Sequence, residues 1–279
     1  MLRLLNPRLR VIRWPLKTAL FLVVVIWVCF PDPRLLTRNL RNWFRLQELV
    51  EPDHPELQPW VERVRADLQP RTSPRRALAQ VEAFVRQAVP YEWDWVTWGA
   101  ADYLPTLSEM LALRPVREDC DGRAVAAASM LQKLGYDARL VTDLKHVWVW
   151  TPQGETMGPG GRKFVESDQR GTRLNWAALT ATPANLAYGI AAFPWTRELI
   201  VLLTFWLLLL RRAPRWPWAL LGLAVLLDGW LIFRLACRNP WPAGLWDSVG
   251  ALLGWGHVAA AVLIILGTGE RRRSRFPHP

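Results

Sequence analysis

Apolar residues along this chain are gathered into blocks at its two ends, and the stretch between them mixes polar and apolar positions. The first block covers residues 18–30 and follows Arg3, Arg8, Arg10, Arg13 and Lys17. Three more cover roughly residues 190–210, 216–235 and 249–267. A run of about 20 apolar residues in a helix spans the ~30 Å hydrocarbon core of a bilayer, so the pattern predicts about four transmembrane helices. The first block is short for a span, and snorkelling by Arg13 and Lys17 extends it. It is followed by Pro31-Asp32-Pro33 with no small-x-small cleavage motif, which favours an uncleaved signal anchor over a cleaved signal peptide. The second block is interrupted by Arg197 and Glu198.

In the mixed stretch, residues 34–50, 55–68 and 74–89 show helical spacing, with Pro70 and Pro90 as breaks. Ala77, Val81, Phe84, Val85 and Ala88 share one face of the third, the pattern of a helix packed on a core. Thr106 followed by Glu109 reads as a capping box opening a short helix. Residues 124–134 are rich in helix formers and end at Gly135, a natural C-cap, so Cys120 falls at the start of a helix. Residues 136–143 and 146–151 read as strands, Pro152-Gln153-Gly154 as a turn, and residues 163–167 as a further strand. Helices followed by a small antiparallel sheet make an α+β domain. The expected organisation is a basic tail and signal anchor over 1–30, a folded domain over 31–189, three transmembrane helices over 190–269 and a basic tail over 270–279.

Charge changes this picture by assigning sides. The net charge is +11, yet residues 31–194 hold 20 Lys+Arg and 20 Asp+Glu. The excess flanks the apolar blocks, which predicts no nucleic-acid partner. Twelve basic residues lie in the N-terminal tail, at Arg211, Arg212 and Arg215, and at Arg271, Arg272, Arg273 and Arg275. The positive-inside rule puts those segments in the cytoplasm, against a weaker opposing group at Arg34, Arg38, Arg41 and Arg45. The expectation is a multi-pass cell (inner) membrane protein whose 31–189 domain is extracytoplasmic (periplasmic). Of the 18 tryptophans, Trp14, Trp195, Trp216, Trp218, Trp241 and Trp246 lie near span ends, where indoles favour the interface. Trp93, Trp95 and Trp98, beside Tyr91 and Tyr103, read either as one wall of a substrate cleft or as ordinary aromatic packing.

The candidate chemistry is that of a thiol. Three scattered cysteines and four scattered histidines give neither a disulfide framework nor a zinc spacing. Cys120 alone lies in the polar region, and His146 heads the second predicted strand. Thiols react as thiolates. A helix N-terminus favours that anion and offers a backbone N–H to an oxyanion, and an imidazole exchanges the proton. Asp119 and Asp121 oppose ionisation unless they turn outward or pair with Arg117 and Arg123.

Residues 106–150 resemble bacterial transglutaminase-like domains. The matching features are Thr106-Leu107, Asp119-Cys120-Asp121-Gly122, Ala124, Leu131, Leu134-Gly135-Tyr136-Asp137-Ala138-Arg139, Val141 and His146-Val147-Trp148-Val149. The resemblance implies a papain-like fold and a Cys-His-acid triad. It further implies acyl transfer or hydrolysis at a peptide or amide bond of a peptide or protein substrate, at the lipid bilayer. The family's third member is an Asp on the strand after the His strand, followed by Pro. Here the comparable stretch offers Glu166 first, Asp168 second and Glu155 third. That departure leaves a catalytically inactive binding or scaffold module as the alternative. No calcium-type acidic loop is present, so no metal and no cofactor is expected. Asp228 and His257 sit at matching depths in the last two spans, ~15–18 Å from one end. They read as a structural pair, with Arg234 as a further partner, or as a proton-handling site.

Overall fold

The computed structural model describes residues 10–68, 72–142, 146–158, 165–168, 171–174, 182–210, 214–238 and 245–267. The chain divides into two compact units. One comprises residues 1–28, 186–239 and 243–279, and the other residues 29–185 and 240–242.

The first unit is helical. Helix α1 (Arg10–Cys29) starts earlier than the apolar run alone suggests, so Ile12–Cys29 is long and apolar enough to cross a membrane. Two later helices of the same unit, spanning Trp216–Ala236 and Leu245–Gly267, also qualify. The block at 190–210 is not one straight helix. It is split between Thr182–Ala192 and Trp195–Leu209, bent by 119°. Pro194 lacks the N–H a continuing helix requires and serves instead as the N-cap of the second piece. That piece has 15 residues, ~22 Å of helix, too short for the ~30 Å core by itself.

The second unit carries the candidate chemistry. Helix α2 (Pro33–Trp43) begins at the Asp32 N-cap, whose carboxylate accepts the Arg34 N–H at 2.8 Å. Two short 3-10 turns (Leu46–Leu49 and Pro55–Leu57) lead to α3 (Gln58–Asp67) and α4 (Pro74–Ala88). Helix α4 buries Ala77, Leu78, Val81 and Val85, the face anticipated from spacing. After α5 (Asp94–Thr97), α6 (Leu107–Ala112) starts with the capping box of Thr106 and Glu109. Helix α7 (Cys120–Lys133) is the centre of the unit, with every residue from Asp121 to Leu131 buried. Ala124, Ala126, Ala127 and Ala128 make it narrow enough to be packed from several sides. Its C-terminus is closed by Gly135 at φ +92°, a left-handed conformation costly for any residue with a Cβ.

The sheet has five strands in the order β3-β2-β1-β4-β5, all pairings antiparallel. They are β1 (Arg139–Thr142), β2 (Val147–Thr151), β3 (Gly154–Thr156), β4 (Val165–Asp168) and β5 (Gly171–Leu174). Strands β3 and β5 are too short and polar to be read from alternation. Helix α7 packs on β1 and β2 and against α4 and α6. Trp148, Val149 and Leu140 of the sheet join Met130, Leu131, Val85 and Leu107 in one core. The remaining helices are α8 (Thr182–Ala192), α9 (Trp195–Leu209), α10 (Trp216–Ala236) and α11 (Leu245–Gly267). The pair α10 and α11 approach closely through small residues. A Cβ on Gly229 would lie 2.8 Å from that of His257, and one on Gly222 2.4 Å from Ile265.

Candidate thiol site

Cys120 is the first residue of α7 because Asp119 caps the helix, its Oδ1 accepting the Asp121 N–H at 3.0 Å. The Cys120 thiol donates to Asp121 Oδ1 at 3.2 Å. The backbone N–H of Val147, the first residue of β2, donates to the same sulfur. His146 immediately precedes Val147 and is half-buried. The helix bearing the candidate nucleophile and the strand headed by the candidate base therefore meet at the sulfur.

The electrostatics oppose ionisation. Burial pushes the Cys120 thiol up, and the charges of Asp119 and Asp121 and the hydrogen bond to Asp121 push it further, against the Val147 N–H, which pulls it down. The two carboxylates neither turn outward nor pair as expected from sequence: both are buried. Arg117 forms its ion pair with Glu92 at 3.5 Å. Arg123 Nε donates to the Val89 carbonyl at 2.9 Å, and its guanidinium lies over the Tyr91 ring.

The helix N-terminus is also already occupied. Glu118 folds back over the first turn, accepting the N–H of Asp119 at 2.9 Å and that of Gly122. Its other oxygen accepts the Trp98 indole N–H at 2.5 Å. With the Asp121 N–H held by Asp119, the amides expected to favour a thiolate or oxyanion serve carboxylates instead.

Three segments contribute acids here. Asp94, Asp102 and Asp121 each bring a carboxylate oxygen within 4.8 Å of the others, and so do Asp94, Glu118 and Asp119. Asp94 is 1% exposed, and its Oδ2 accepts the Tyr103 N–H at 2.6 Å. Burial and then mutual repulsion raise these groups, Glu118 to about 8 and Asp119 to about 7. Asp94 and Asp121 are also raised, in each case first by burial and then by the neighbouring carboxylates. Sequence reading missed Asp94, Asp102 and Glu118. The only local signal was the run Glu118-Asp119-Cys120-Asp121.

The strand register places the predicted third members in the sheet. Glu166 pairs with Val141, which pairs on its other side with Trp148, so β1 separates β4 from β2. Two strand spacings put the Glu166 backbone ~10 Å from β2. By the same register Asp168 is further from the His146 end, opposite Gly171 on β5. Glu155 pairs with Trp150, four residues from His146, and accepts the Trp148 indole N–H at 3.1 Å. None of the three is a backbone neighbour of His146. The aromatic group divides as well. Trp93 and Trp95 stack at 4.5 Å with Tyr91 edge-on at 5.3 Å, whereas Trp98 joins the acids through Glu118 and lies against Tyr103.

In the helical unit, Asp228 and His257 meet at 3.2 Å, as their matched depths suggested. Arg234 is not their partner. It pairs with Glu198 at 2.6 Å and donates to the Phe193 carbonyl. Comparison of the chain with protein-family models, with curated proteins and with solved structures found no match.

Proposed function

We propose that this chain is a membrane-anchored, transglutaminase-like thiol enzyme that transfers or hydrolyses an acyl group through Cys120. The observation that carries the reading is the meeting of the α7 N-terminus with the head of β2, where the Val147 N–H reaches the Cys120 sulfur beside His146. In the reaction, the Cys120 sulfur attacks the carbonyl carbon of an amide and His146 accepts the thiol proton. That proton then goes to the leaving amine as the C–N bond breaks, leaving a thioester. Water or a second amine attacks the thioester, gives up a proton to His146, and restores the thiol. The domain holding this site is extracytoplasmic in this reading, by the distribution of basic residues.

A second reading, a binding or scaffold module without turnover, is favoured by the raised thiol and by the carboxylates that occupy the amides at the α7 N-terminus. Alkylation of Cys120 by iodoacetamide separates the two. It is followed against pH in a chain whose Cys29 and Cys237 are replaced by Ser. The enzyme reading expects a rate inflection at a lower pH in wild type than in His146→Ala, and loss of amide turnover in Cys120→Ala. An alkylation profile identical with and without His146 would establish the scaffold reading.

A further inference from the structure

The helical unit turns an ionisable pair outward at the depth where a bilayer tolerates it least. Asp228 and His257 lie near the middle of α10 and α11, which have 21 and 23 residues. The Asp228 side chain is 61% exposed and that of His257 35%. His257 Nδ1 lies 2.8 Å from the Leu253 carbonyl, which can only accept, so this nitrogen donates and Nε2 is the edge that meets Asp228 Oδ2 at 3.2 Å. His257 thus serves one carboxylate oxygen, and Asp228 has no other donor among the described residues. An ionisable group at this depth belongs against protein or water and not against acyl chains. Around Asp228 the exposed face is apolar: Leu221, Ala224, Leu231 and Leu235 share it, at steps of three and four residues. The stripe is turned away from Gly222 and Gly229, which meet α11. Such steps give the 3.5-residue period of a left-handed helix pair, in which one polar residue in an apolar seam sets register and copy number.

We infer that this stripe is where two copies of the chain meet inside the membrane, the Asp228 and His257 of one copy against those of the other. Charge and depth fix the occupant. It must bring a hydrogen-bond donor to mid-bilayer opposite Asp228, within an otherwise apolar face. A second copy does both by symmetry. Copies inserted with the same topology are related by an axis along the membrane normal, so equivalent residues lie at equal depth. The pair is also self-complementary: its donor edge at His257 and its acceptor edge at Asp228 exchange places under a two-fold rotation, so the two imidazoles and two carboxylates alternate. The inference rests on α10 and α11 crossing the membrane and is independent of thiol chemistry. It is tested in a chain whose Cys29, Cys120 and Cys237 are replaced by Ser, so its failure and that of the acyl-transfer reading are separately visible.

Single cysteines are introduced into that full-length chain, and membranes carrying it are oxidised with copper phenanthroline. The expected result is a disulfide-linked product of twice the chain's mass from Ala224→Cys and from Leu231→Cys. None is expected from Leu203→Cys, which is exposed on α9. Dissociation of the dimer is then measured in micelles by energy transfer between labelled copies. Asp228→Leu weakens the dimer about tenfold, because two symmetric polar contacts are lost together. The cross-links are read in a chain that keeps Asp228 and His257, so they test the face even where that variant fails to fold. Absence of the product at both stripe positions, or an equal yield from Leu203→Cys, overturns the interface. A product of a different mass overturns the second copy as its occupant. A dimer equally stable in Asp228→Leu and His257→Leu overturns the part assigned to the pair.

Discussion

Replacing Gly122 by Ala tests whether the acid-rich turn at the head of α7 is as tightly determined as its geometry indicates. In an unconstrained helix the change is favourable by ~1 kcal/mol, because Gly loses more backbone freedom on folding than Ala. Here the new Cβ would lie 2.3 Å from Glu118 Cγ and 2.7 Å from its Cδ. Glu118 has no room to yield, since it is 0% exposed. Its carboxylate is tied to the Trp98 indole and to the Asp119 and Gly122 amides. Overpacking of a closed site costs ~1–3 kcal/mol. Each hydrogen bond to this proton-bearing carboxyl that breaks adds ~0.5–1.5 kcal/mol. With one such bond lost, and the propensity gain subtracted, Gly122→Ala should destabilise the unit by ~0.5–3.5 kcal/mol. Urea unfolding of the full chain in micelles, followed by tryptophan fluorescence, measures this. Gly135→Ala is the control: it meets no atom within 4 Å, and its cost arises only from φ +92°, ~1–2 kcal/mol. A Gly122→Ala protein as stable as wild type would refute the packing argument.

Stability should also depend on pH in a set direction. Glu118 at about 8 and Asp119 at about 7 keep protons in the folded state that the unfolded chain releases near pH 4. The folded state therefore binds more protons between about pH 4 and 8, and stability falls as pH rises through that range. Melting in EDTA should occur at a higher temperature at pH 5 than at pH 8, with a smaller difference in Glu118→Gln; a rise instead would contradict the raised carboxylates. Thr106→Ala removes the hydroxyl that accepts the Glu109 N–H at 3.1 Å and should cost ~1 kcal/mol in the same urea assay. Asp228→Asn combined with His257→Gln removes the 3.2 Å pair while α10 and α11 stay packed through their small residues. If the pair is structural, the double variant melts at a lower temperature and each single variant is no worse than the double. Unchanged melting with altered activity would assign the pair to proton handling.

The parts of this protein legible in its sequence are those set by near neighbours. Apolar runs located three of the four blocks as single helices long enough to cross a membrane. The fourth escaped only in its bend, where one proline outweighs an otherwise continuous apolar pattern. The capping box at Thr106 and the start of α7 at Cys120 are local too, decided by side chains within a few residues. Order in sequence does not give neighbourhood in the sheet at the third candidate position. Glu166 follows the His strand in order, but β4 adds to the sheet beside β1 rather than β2.

What only the tertiary structure decided is the charge around the thiol. Cys120 and its two flanking acids are plain in the sequence, but whether those acids face water or the core depends on what packs over α7. The loop carrying Asp94, Trp98 and Asp102 lies over the helix N-terminus, and the Pro90–Glu92 backbone pairs with Glu118, so the acids are buried together. Ionisation energies depend on burial and on distances through space, and acids 27 residues apart from first to last, Asp94 to Asp121, carry no spacing signature. The sequence by itself determined helices long and apolar enough to cross a membrane, and a thiol at a helix start. The tertiary fold determined that this thiol lies in an acidic, enclosed cluster, because only folding brings carboxylates from separate segments within one coordination distance.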